Sequence, residues 1–182
     1  LVLLGLWGWS GFNILVTLRE QVNRDWAYVE NVYQRRADLI PNLVSTVKGY
    51  AAHEQETFEK VVNARANATS IKIDAANMTE ADLKRFQAAQ GEIGSALSRL
   101  IAVAESYPDL KANQNFLELQ AQLEGTENRI AVERRNFNET AQKYNTAIKS
   151  FPAFIFAGWF GFKERPYFEA QEGTEVAPKV EF

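Results

Sequence analysis

Arg35-Arg36-Ala37-Asp38-Leu39-Ile40-Pro41-Asn42-Leu43-Val44 sets two arginines, an aspartate and a proline inside a long run with helical spacing. Within a helix, proline lacks the N–H that would bond the carbonyl four residues back, and its ring crowds that carbonyl. Charge is costly to bury unless it is paired. Something in the fold must therefore compensate here. Outward from this stretch, Val22, Trp26, Val29, Tyr33, Arg36, Ile40, Leu43, Val47, Tyr50, Glu54, Phe58, Val61 and Arg65 follow one another in alternating steps close to four and three. Such steps place side chains on one helix face. The stripe keeps its phase across Pro41, which leaves two readings. One is a long helix kinked at Pro41; the other is a reversal in which Pro41 opens a second helix. Leu39 and Ile40 are poor turn residues, which favours the kink. The similar lengths of the flanking segments favour the reversal.

The pattern fades at Asn67-Ala68-Thr69-Ser70. Thr79 then reads as an N-cap, with Glu80 and Asp82 suited to the positive end of the helix dipole. Leu83, Phe86, Gln90, Ile93, Leu97, Leu100 and Ala104 share a face of this second helix. Gly91 and Gly94 would each weaken it by about 1 kcal/mol, so close helix packing is the expected reason for them. Tyr107-Pro108-Asp109 stops the helix. A third runs from about Leu110 to Ser150, with Phe116, Gln120, Leu123, Glu127, Ile130, Arg134, Phe137, Ala141, Tyr144 and Ile148 on its stripe. No strand pattern competes. The expected fold is all-α: an up-and-down antiparallel bundle of long helices over residues 19–150, preceded by an N-terminal transmembrane helix.

Both ends depart from this pattern. Residues 1–18 are largely apolar and read as the C-terminal part of a membrane span, although about 20 apolar residues are needed to cross a bilayer; a signal-peptide remnant and a buried core helix are the alternatives. Trp7 and Trp9 would anchor it at headgroup level. Gly5, Gly8 and Gly11 lie three apart, a spacing that lets membrane helices approach. Residues 151–168 begin with Phe151-Pro152-Ala153-Phe154-Ile155-Phe156-Ala157-Gly158-Trp159-Phe160-Gly161-Phe162, too short to span. This segment is expected either to fold over the bundle or to contact a membrane or a subunit. The contact set is then Gly5, Trp7, Gly8, Trp9, Phe12, Trp26, Phe154, Phe156, Trp159 and Phe160. Residues 169–182 read as a polar tail.

With the Arg35-to-Val44 run, Val47-Lys48-Gly49-Tyr50-Ala51 and His53-Glu54 closely resemble the bacterial LemA family. The likeness continues in Asn13-Ile14-Leu15-Val16-Thr17-Leu18-Arg19-Glu20, in Trp26, and in Ala102-Val103-Ala104-Glu105-Ser106-Tyr107-Pro108-Asp109-Leu110-Lys111-Ala112-Asn113. It takes in Phe116, Leu119-Gln120, Thr126-Glu127-Asn128-Arg129-Ile130-Ala131, Tyr144-Asn145, Phe151-Pro152 and Gly161-Phe162 as well. The resemblance implies an N-terminal membrane helix and a four-helix up-and-down bundle. It implies no catalytic residues, because the family has no established activity. The aromatic content of residues 154–162 exceeds what the family pattern requires, which strengthens the contact reading.

The chemistry-bearing residues are few. A net charge of −3 offers no basic face for nucleic acid, and the absence of cysteine excludes thiolate sites and disulfides. His53 is the sole histidine; with no Glu or Asp three residues before it, no metal or cofactor site is expected. No nucleophile elbow or phosphate loop is present, so an enzyme is not expected. Arg36, Glu54, Arg65, Glu127 and Arg134 fall on the apolar stripes and are expected to form a buried polar seam. Arg36 or Arg65 would face Glu127, and Arg134 would face Glu54. The reading is a non-enzymatic scaffold or interaction protein, single-pass in the bacterial cell membrane. A membrane, further copies of the chain and other envelope proteins are its expected partners. The alternative is a binding module that holds a small ligand or peptide in the polar seam. A homo-oligomer is expected because an unbroken first helix would leave Trp26 and Tyr33 uncovered.

Overall fold

The computed structural model describes the backbone of residues 2–169 and the side chains of residues 8–169. The expected contacts at Gly5 and Trp7, and the tail from residue 170 onward, lie outside the described residues. Six helices follow in order: α1 Val2–Lys48, α2 Gln55–Ser70, α3 Glu80–Ala104, α4 Pro108–Lys111, α5 Gln114–Lys149 and α6 Ala153–Trp159. Every regular element among the described residues is helical, and α1, α2, α3 and α5 run up, down, up and down.

α1 continues through Pro41 and ends seven residues later at Lys48. The chain reverses at Gly49–Glu54, with the Ala51 N–H donating to the Val47 carbonyl at 2.9 Å and Ala51 fully buried. Helix continuity across Pro41 agrees with the kink reading. The extension of that helix to residue 70 does not, since Tyr50 and Glu54 lie in the reversal. Gly49, a weak helix former, marks the break. The freed carbonyl of Ala37 accepts a hydrogen bond from Arg65 Nε at 2.9 Å. That bond supplies the donor that Pro41 lacks.

α5 lies antiparallel along most of α1. Thr140 Oγ1 donates to Asp25 at 2.5 Å, Arg36 meets Glu127 at 3.0 Å, and Asn115 Nδ2 donates to Thr46 Oγ1 at 3.1 Å. α2 and α3 form the other antiparallel pair. Thr79 and Asp82 begin α3 with a reciprocal capping box: the Asp82 N–H donates to Thr79 Oγ1, and the Thr79 N–H donates to the Asp82 carboxylate. Asn113 caps α5 by accepting the Phe116 N–H.

The stripes fill two adjoining cores. Ile40, Leu43, Val47, Phe58, Val61, Leu97 and Leu100 form the one near the reversal. Val22, Trp26, Val29, Tyr33, Phe86, Phe137 and Tyr144 form the other, with Phe162 and Phe168 from the C-terminal segment. Trp26 is only 2% exposed and lies edge-on to Phe86 and Phe137 and stacked on Phe168. Its expected place in a membrane or subunit contact is thus corrected. Aromatic rings of the same chain cover both Trp26 and Tyr33, so the uncovered stripe expected to need another subunit is absent from the described surface.

No helix among the described residues is long and apolar enough to cross a membrane. Leu15 is fully buried, and Phe12, Val16 and Leu18 pack against the same core. The bundle therefore begins inside the segment 1–18 rather than after it. Gly91 and Gly94 are corrected too: a Cβ at either would meet nothing within 4 Å. They face open space and not a neighbouring helix.

Candidate functional site

Arg36 lies on the buried face of α1, 4% exposed, between α3 and α5. One terminal nitrogen pairs with Glu127 of α5 at 3.0 Å, and the other donates to the Gln90 carbonyl at 2.8 Å and to Gln90 Oε1 at 2.6 Å. Its Nε has no partner. The guanidinium also lies 5.1 Å from the centre of the Tyr33 ring. Burial raises the Tyr33 phenol above its usual value, opposed by the charges of Arg134 and Arg36. Glu127 is half exposed and reaches water on one side. The pair thus joins a buried cation to a solvated carboxylate, which limits the desolvation penalty of a fully interior ion pair.

Arg65 serves Ala37 and does not reach Glu127. Glu54 stands at the N-cap of α2 and makes no side-chain cap there. Arg134 lies instead at the opposite end of Glu127's helical neighbourhood, 4.8 Å from the centre of the Phe168 ring, and donates to the Glu169 carbonyl at 2.8 Å. The antiparallel register that sets Arg36 opposite Glu127 sets Arg134 opposite the middle of α1, far from the Gly49–Glu54 reversal. His53 is exposed in that reversal. Among the described residues, no group of three or more histidine, aspartate or glutamate side chains could hold a metal ion.

α3 and α5 meet through the cores they share, but their outer faces stand apart and leave a trough between them over α1. An extended strap, residues 161–169, fills half of it. Gly161, at φ +70°, lets the chain leave α6 in the left-handed region while the Phe162 N–H returns to the Ala157 carbonyl at 2.9 Å. Three side-chain amides then grip the strap's backbone. Asn145 accepts the Arg165 N–H and donates to the Arg165 carbonyl, both at 2.8 Å. Asn138 does the same for Phe168, at 2.8 and 3.0 Å. Gln87 of α3 donates to the Glu169 carbonyl at 3.1 Å and accepts its N–H at 3.4 Å. Arg165 turns inward to donate to the Ala75 carbonyl, and burial pushes its guanidinium below its usual value. Asn138 escaped the sequence reading and Asn145 entered it only within the family resemblance, although a signal for both exists. Phe137-Asn138 and Tyr144-Asn145 repeat an aromatic–asparagine pair seven residues apart, so both amides share a face beside the core.

Beyond Glu169 the trough is open among the described residues, with a volume of about 1090 Å³. Tyr33 and Arg36 lie in its floor, Gly91, Gly94 and Ser95 in the α3 wall, and Glu127 and Arg134 in the α5 wall.

The second distinctive surface is the α1–α6 end. α6 packs on the start of α1: the Phe12 ring lies 4.8 Å from Phe160 and 5.9 Å from Phe162, and a Cβ on Gly8 would come within 3.3 Å of Phe156. Phe12 and Phe156 are thus half-buried between the helices. Outside them stand Trp9 (70% exposed), Ile14, Phe154, Phe160 and Trp159 (77% exposed). Phe151 joins them, its ring 6.3 Å from Phe154. Arg19 lies over the Phe162 ring at 5.2 Å, and Lys149 pairs with Glu164 at 2.8 Å, so charges border this apolar end.

Fold and surfaces together define an all-α bundle protein with a polar trough along its side and an apolar aromatic end. The chain belongs to the LemA family, whose model matches residues 25–182. It is 30% identical over 189 residues to magnetosome protein MamQ of Magnetospirillum gryphiswaldense, covering 93% of this chain and 70% of the relative. MamQ 1 of Paramagnetospirillum magneticum is 29% identical over 182 residues, 91% of this chain and 67% of the relative. Protein LemA of Metamycoplasma hominis is 24% identical over 139 residues, 76% and 60% of the two chains.

Proposed function

We propose that this protein is a membrane-anchored, non-enzymatic scaffold of the bacterial envelope, with its α1–α6 end seated in the lipid interface. The exposed aromatic collar carries this reading. Trp9, Phe154, Trp159 and Phe160 crowd one end of the bundle, at the apolar start of α1. Contiguous apolar surface in water is costly, at about 25 cal/mol per Å². Aromatic rings favour the headgroup boundary, and bordering cations suit anionic headgroups. Membership of the LemA family, with MamQ relatives named as magnetosome proteins, supports an interaction role in bacteria without assigning a reaction. Further copies of the chain and other envelope proteins are proposed partners. Since Trp26 and Tyr33 are covered, self-association would use the α1–α6 end.

Vesicles containing acyl-chain-brominated lipid test this with the full chain. Trp159 is expected to be quenched, so a Trp159→Phe variant should lose part of the quenching. Phe154→Ser with Phe160→Ser should weaken vesicle binding by tenfold or more, given about 1.5–3 kcal/mol for burying one such ring. A Trp159 that stays fully open to acrylamide on vesicles, with unchanged binding of the double variant, would sink the reading.

A further inference from the structure

We propose that the open half of the α3–α5 trough is a binding site for an extended, acidic peptide segment of a partner polypeptide. The assignment is independent of membrane seating.

The first observation is the trough's own occupant. Its filled half holds an extended chain through paired amide contacts from Asn145, Asn138 and Gln87, which read backbone N–H and C=O groups and no side-chain identity. The open half continues the same channel between the same two helices. Glu169 marks the boundary, its carbonyl bridged by Gln87 of α3 and Arg134 of α5. A channel whose walls are spaced for one extended strand in its filled half suits another strand end to end with it.

The second observation is size. The open trough, at about 1090 Å³, is larger than a typical small-molecule pocket of roughly 300–1,000 Å³. Along α3 it runs from Lys84 to Ser98, on the order of 21 Å at ~1.5 Å per residue. An extended chain covers that distance in about six residues. Gly91 and Gly94 keep the α3 wall flat, and each costs about 1 kcal/mol of helix propensity with no packing contact to explain it.

The third is charge. Arg36 is nearly fully buried in the floor, with Nε unpartnered, and its pair Glu127 is half exposed. Arg134 faces the trough and pairs with no carboxylate among the described residues; its partners are the Glu169 carbonyl, the Tyr33 hydroxyl and the Phe168 ring. One carboxylate on the incoming strand would complete it, as a charge-assisted hydrogen bond of the stronger kind.

The test uses the full chain and a labelled, end-capped hexapeptide, Ala-Ser-Glu-Ala-Gly-Ser, beside counterparts with glutamine or lysine replacing glutamate. The glutamate probe should bind at least tenfold tighter than the lysine probe, and Arg134→Gln should erase that preference. Gly91→Leu with Gly94→Leu should abolish binding. The fold should survive, because both positions face open space and leucine is the better helix former. A photo-crosslinking side chain at Ser95 should capture the probe. Equal binding of the acidic and basic probes overturns the proposal, as does unchanged binding by the leucine variant. A Ser95 crosslinker that captures nothing, residues 170–182 of its own chain, or a second copy also overturns it.

Discussion

Pro41 and Arg65 make one device from two residues distant in sequence. Proline removes the donor that the Ala37 carbonyl would use in an unbroken helix. Arg65, from the returning helix, donates to that carbonyl at 2.9 Å. A carbonyl left unsatisfied in a part-buried place costs about 1–3 kcal/mol. Arg65→Met is therefore expected to destabilise the protein by about 1–2 kcal/mol in urea melts. In a Pro41→Ala background the N–H returns, and the same substitution should cost at most about 0.5 kcal/mol, the scale of an ordinary surface change. The coupling from this double-mutant cycle is the quantity to measure; additive costs would mean that Arg65 does not serve the orphaned carbonyl. Arg36 shows the same logic with a charge. Its stripe position marked it as interior, and its three acceptors explain how it can stay there.

At the scale of elements, the strap shows how a segment without helix or strand is held. Its backbone groups cannot pair among themselves, so α5 and α3 lend side-chain amides to them. Phe162 and Phe168 add apolar anchorage, and Phe168 closes the core over Trp26. Asn145→Ala removes three hydrogen bonds, two with the Arg165 backbone and one to the Tyr167 hydroxyl, and is expected to cost about 2–3 kcal/mol. Hydrogen exchange should also quicken at the Arg165 amide while the α2 amides keep their protection. Unchanged exchange at Arg165 would mean that aromatic packing alone holds the strap. The α2–α3 pair contributes differently: it covers the reversal end of α1 and leaves the trough open where it diverges from α5.

The whole molecule carries two surfaces of opposite character, an end and a side, joined by α1. The aromatic collar gathers at the start of α1, and the trough lies beside Arg36. From residue 8 to residue 36 a helix rises about 42 Å at ~1.5 Å per residue. An upright bundle seated on its collar would hold the trough that far from the lipid. The chain has no cysteine, so one engineered thiol can be labelled cleanly. Energy transfer to acceptor-labelled lipid should be weak from Ser95→Cys and strong from Glu164→Cys, beside the collar. Equal transfer from both labels would show the bundle lying along the membrane, with its trough near the surface.

The helical class, the long first helix, the buried stripe and the Thr79 cap were legible in the sequence because each depends on local spacing and backbone chemistry. The interior place of Arg36 was legible for the same reason, whereas the choice between Arg36 and Arg65 as the partner of Glu127 fell to the tertiary register. Tertiary structure alone decided that the first helix continues through Pro41, since the carbonyl that proline leaves without its donor is served by Arg65 from elsewhere in the chain. It also decided that Trp26 and Tyr33 are covered within the chain, because their cover comes from Phe86, Phe137 and Phe168, remote in sequence. The open space at Gly91 and Gly94 belongs to the same kind. A glycine in a helix signals either a close neighbour or none, and only the placement of α5 across the trough distinguishes them.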